Sequence, residues 1–218
     1  MSLPVLLASM GCAYGDHVRH WVGALNTGIA VHRANADPIS VPMRFTHGVC
    51  AQDPLVEASI WLTDVSLDAL TQGAVTDGQA LHIELLFRPR PGYTPLDPTA
   101  TNIVIRYIIM SRGEVGVYEG GGFGYPIGSV DDGSMSLRIE DASLTLGAHT
   151  DGFVDLLSPA SLSGTFHGPR DDAIAAKIRE GVDQTVSLAL SKRTYVRSDS
   201  DSDGLTRVAR VGLMSHNR

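Results

Sequence analysis

The sequence predicts a mainly β fold, an antiparallel sandwich or open barrel with one packed helix near 171–182; an α+β arrangement is the alternative. Three observations carry this prediction. Asp-Gly recurs at 77–78, 132–133, 151–152 and 203–204, and this pair between apolar alternations marks tight turns because glycine accepts positive φ. The 23 glycines among 218 residues exceed the ~7% share of average proteins. Between the turns lie short runs rich in β-branched or alternating apolar residues.

Taken in order, the strand candidates are "ALHIELLFRP" (80–89), "NIVIRYIIM" (102–110), "EVGVY" (114–118), "SMSLRIE" (134–140), "ASLTLGA" (142–148) and "LSGTFHG" (162–168). Ser111-Arg112-Gly113 fits a short loop pairing the second with the third. "RPRPGYTPLDPT" (88–99) holds four of the eleven prolines, so it cannot continue a central strand and reads as an exposed loop. Asp53-Pro54 has the form of a helix start, but "LVEASIWLTDV" after it suits helix or strand equally. One helix is clear. "DDAIAAKIREGV" (171–182) offers an aspartate cap, Ile174 and Ile178 one turn apart, and Gly181 as a stop. Val182, Val186 and Leu190 keep the four-residue spacing beyond it. Strand candidates flank the proline-rich segment on both sides, so it reads as a loop at one end of a single domain rather than a linker, and residues 1–218 are expected to form one β-rich domain.

Charge and cysteine content bound the partners. A formal net charge of −7 argues against a nucleic-acid partner, whose affinity rests on clustered cations. The start, "MSLPVLLASMGCAYGD", pairs an apolar run with Gly11-Cys12, the form of a bacterial lipoprotein processing site, although no cation precedes Arg19 and the run is too short to span a bilayer. Residues 1–12 are therefore expected to be a remnant signal segment of a secreted or cell-envelope protein, with cytoplasmic residence as the alternative. Cys12 is then a lipidation site, and so a possible lipid anchor, or it pairs with Cys50 in a disulfide.

Motif chemistry is sparse. Asp199, Asp201, Asp203 and Gly204 match positions one, three, five and six of a D-x-D-x-D-G calcium loop, in which alternating carboxylates converge on a hard cation. Position twelve, where a glutamate closes the shell, is Arg210. The expected arrangement is thus a hairpin tip balanced by Arg197, Arg207 and Arg210 that needs no cofactor, with calcium at the three aspartates as the alternative. "YEGGGFGYPIG" (118–128) lacks the spacing and the following helix of a dinucleotide loop. Its glycines are expected to present Phe123 and Tyr125 on a loop or to let two backbones approach closely. His17 and His20 are too few ligands for zinc, and no catalytic signature such as G-x-S-x-G or H-E-x-x-H occurs.

These readings lead to a non-catalytic domain that binds a protein or a glycan, or acts structurally, through loops 88–99 and 118–128, with Tyr93, Phe123 and Tyr125 as ligand contacts. A hydrolase using His17 or His167 in a cleft is the second reading. A calcium-stabilised glycan-binding module is the third.

Overall fold

A computed structural model describes residues 25–33, 36–90 and 100–190. Ten strands dominate it: β1 (Leu25–Arg33), β2 (Ala36–Pro42), β3 (His47–Asp53), β4 (Val56–Thr63), β5 (Gly78–Leu85), β6 (Ile103–Ser111), β7 (Glu114–Gly122), β8 (Gly124–Ser129), β9 (Ser134–His149) and β10 (Ala160–Pro169). Two helices, α1 (Leu67–Gln72) and α2 (Asp172–Leu190), complete the elements used below. The sheet is antiparallel in the order β2-β1-β10-β9-β7-β6-β5-β4-β3, and β8 pairs β9 beside that path. It curls into a half-barrel, the open-barrel form of the expectation.

Close backbone contact brings the far strand back to β10. Cys50 of β3 bridges Arg170, and the Asp171 N–H donates to the Cys50 carbonyl at 3.0 Å. A Cβ on Gly168 would lie 2.5 Å from the Val49 carbonyl carbon, so only glycine permits this approach.

Strand alternation divides the apolar residues between two cores. Ile60, Leu62, Leu81, Ile83, Ile103 and Ile105 point into the curl with Tyr107, Tyr118 and Phe166. Trp61, Ala80, Ile108, Val115 and Val117 point outward and are covered by α1 and α2 through Leu70, Ile178, Val182 and Val186. Because β4 is buried on both faces along most of its length, apolar Ile60, Trp61 and Leu62 follow one another and the strand shows no period of two. That resolves the ambiguity after Asp53-Pro54: the segment is strand, and the proline occupies the β3–β4 turn. The helix at 171–182 continues to Leu190 because the spacing of Val182, Val186 and Leu190 keeps one face on the sheet. Asp171 caps it, accepting the Ile174 N–H at 2.9 Å.

Other boundaries move. Segments 134–140 and 142–148 are one sixteen-residue strand, kept continuous because β9 changes partner along its length, from β8 to β7. Asp77-Gly78 opens β5 rather than turning a hairpin, with Asp77 accepting the Arg112 N–H at 2.9 Å. The short helix α1 has no sequence period to announce it. Ser66 accepts the Ala69 N–H at one end and Gly73 at φ 63 closes the other. Ser111-Arg112-Gly113 is the expected tight turn, with φ of 55 and 79 at its last two residues.

Candidate binding face and polar cleft

The glycine run corrects the sequence reading. Segment 118–128 is not a loop: β7 runs to Gly122 and β8 starts at Gly124. Backbone approach, the second role foreseen for its glycines, is what they serve. A Cβ on Gly120 would fall 1.7 Å from the Ser143 carbonyl oxygen, and one on Gly122 would fall 2.8 Å from the Ala142 Cα.

Between the two strands the chain bends at Phe123, and buried Asn102 pins the bend. Its Oδ1 accepts the Gly124 N–H at 2.7 Å, and its Nδ2 donates to the Gly124 carbonyl at 2.9 Å. Gly124 therefore spends its polar groups on a side chain where β6 has ended. The same alternation turns Pro126 to that open edge, where a proline has no N–H to leave unpaired. Farther along, Arg88 donates to the Gly128 carbonyl at 2.7 Å. A further strand is thus discouraged from adding to β8, and prolines 38 and 42 mark the other open edge, β2.

With Gly124 turned into the core against Ile103 and Leu137, alternate residues of β8 face outward. Phe123 and Tyr125 are half-buried and meet edge to face, centroids 5.1 Å apart. Ile127, next on that face, is 58% exposed. Across the ladder Tyr125 pairs Arg138 and then Thr165, while Ile127 pairs Ser136 and then His167. The Arg138 guanidinium sits 5.2 Å from the Tyr125 ring centre and 3.1 Å from Glu140. Ser136 Oγ and His167 Nδ1 are 2.9 Å apart. Among the described residues no carboxylate lies within salt-bridge distance of His167 to orient the imidazole as a base.

At the far end of β8 a polar cleft of about 250 Å³ opens, lined by Gln52, Asp53, Val56, Glu57, Arg88, Ser129, Val130 and Asp131. The β3–β4 turn forms one wall and the β8–β9 corner the other. Arg88 joins them, contacting Glu57 at 3.0 Å as well as Gly128. Arg170 lies behind, 3.5 Å from Asp131 and 3.1 Å from Asp172. The N–H of Gln52 donates to Asp172, the chief reason that carboxyl is held below its ordinary pKa. Three lining carboxylates against one guanidinium leave the cleft at −2. Exposed Leu55, Leu86 and Phe87 stand on segments beside it. Nothing in the sequence flagged this cleft, because its parts lie some 30 to 80 residues apart and meet only through the curl.

Buried polar groups elsewhere serve packing. His82 stacks on Trp61 at 3.8 Å, and burial, aided by Arg106 and Arg179, lowers its pKa to about 3. The Tyr118 hydroxyl donates to Asp155 at 3.0 Å, and the Tyr107 hydroxyl donates to Gln79 at 2.7 Å. Burial raises the pKa of both phenols. Cys50 is a free, fully buried thiol in the inner core, with its pKa pushed up by burial. Tyr93, Cys12, His17 and the aspartates 199, 201 and 203 lie outside the described residues. No described helix is long and apolar enough to cross a membrane. No protein-family model, curated protein or solved structure matches this chain.

Proposed function

We propose that this chain is a non-catalytic binding domain that engages its partner through the outer face of β8 and the strands beside it. The observation that carries the reading is the side-by-side display of Phe123, at the entry to β8, with Tyr125 and Ile127 on that strand, next to Arg138. Aromatic rings with an adjacent guanidinium supply large contact area at small entropic cost and are enriched where interfaces concentrate their energy. Such a face on a strand held at both ends is preorganised, which lowers the ordering cost of association. The sequence pointed to Phe123 and Tyr125 as contacts on a loop; here they act from a sheet.

The hydrolase reading draws on the Ser136–His167 pair. That bond sets a hydroxyl against an imidazole, but an activated nucleophile also needs a third group to orient its base, and among the described residues no carboxylate pairs with His167. Binding is therefore the better supported function.

A direct test screens the full chain against glycan and peptide arrays beside a Phe123→Ser/Tyr125→Ser variant shown by circular dichroism to keep its β spectrum. Loss of the wild-type signals in the variant supports the face as the binding surface. Signals unchanged in the variant place the site elsewhere.

A further inference from the structure

The polar cleft continues the β8 face, and the two differ in chemistry. From Tyr125 to Ser129 the strand covers about 13 Å, so one extended ligand of about four residues reaches from the aromatic pair into the cleft. At its near end the ligand meets Phe123, Tyr125 and Ile127. At its far end it meets Asp53, Glu57 and Asp131 against Arg88, and the Arg170 that reaches Asp131 from behind is itself paired with Asp172, so the group as a whole stays at −2. Glu57 is already engaged by Arg88, while the Asp131 side chain is 75% exposed beside Arg170. Leu55 on the adjoining turn is 60% exposed and adds apolar surface at the mouth.

We propose, building on the binding function above, that the partner is an extended protein segment that lays an apolar side chain on the β8 face and places a lysine or arginine in the cleft. Charge complementarity selects the cation: the cleft carries −2 within a chain of −7, and opposite charge both steers and orients a partner. A volume of about 250 Å³ accommodates the end of one long basic side chain with water. The blunted edge of β8 discourages strand addition, so recognition runs through side chains.

Selection of a displayed library of random heptapeptides on the immobilised full chain tests this, with soluble chitohexaose and cellohexaose as the glycan arm. The selected peptides should carry Lys or Arg about four residues from a large apolar residue. Binding of a selected peptide should weaken about tenfold in Asp53→Asn/Asp131→Asn and fall with added salt. Both substitutions keep size and hydrogen-bonding shape. Peptides without a basic residue, or unaffected by the two asparagines, overturn the cationic partner; if Tyr125→Ser still abolishes their binding, the face itself stands. A selection yielding no peptide, with or without retention of the oligosaccharides, overturns the protein segment as partner.

Discussion

Replacing Asn102 by alanine strips the bend between β7 and β8 of its hydrogen-bonding partner. Asn102 is fully buried, and its amide satisfies both backbone groups of Gly124, itself buried, at 2.7 and 2.9 Å. Each buried group left unpaired costs about 1–3 kcal/mol. Two such groups bound the loss at roughly 2–6 kcal/mol, and water entering beside the open edge of β8 recovers part of it, leaving about 3 kcal/mol. In a chain of this size each kcal/mol moves the melting temperature by about 2–4 °C, so Asn102→Ala should melt roughly 6–12 °C below wild type. Circular dichroism melts measure this directly. The bend also sets where Phe123 and Tyr125 stand, so array binding by the folded variant should weaken although both aromatic residues remain. A melting temperature within about 1 °C of wild type would overturn this account, since the amide would then not be what holds Gly124.

Acid stability should report His82. Its folded pKa of about 3 lies below the unfolded value, so as pH falls below ~6.5 the unfolded chain takes up a proton that the folded chain refuses. Stability should therefore decline from pH 6.5 downward, by about 3 kcal/mol at pH 4.5, and His82→Phe, which can keep the stack on Trp61, should flatten urea midpoints in that window; a wild-type midpoint constant from pH 6.5 to 5 would contradict this. Gly181→Ala would put a Cβ 2.7 Å from the Leu70 Cβ and 2.8 Å from its carbonyl oxygen. The clash between α1 and α2 should outweigh the helix propensity gained and cost about 1–3 kcal/mol in urea titrations, whereas a stabilised variant would show that the helices separate freely. The Cys50 thiol, fully buried and raised in pKa, should resist a thiol reagent in the folded protein and react on denaturation; fast labelling of Cys50 in native buffer, located by mass spectrometry, would count against the inner core as drawn.

The fold class was legible in the chain alone, because turn chemistry and apolar alternation are local. Arg112-Gly113 turns the hairpin it marks, the alternating runs at 102–110 and 134–148 are strands, and the spacing of Ile174, Ile178, Val182 and Val186 marks the face that α2 buries. The same reasoning reached Phe123 and Tyr125 but misread their setting, since a glycine run signals a loop unless a neighbouring backbone lies where the missing side chains would be. Long-range packing settled that Gly120 faces Ser143 and that the run is strand. It also decided which side of β4 meets which core, a distinction that a segment buried on both faces does not write into its alternation. The cleft depended on it entirely. Glu57, Arg88 and Asp131 are unremarkable surface charges in sequence, and they converge because the curl of the sheet carries the β3–β4 turn to the β8–β9 corner, a long-range geometry that no local pattern encodes.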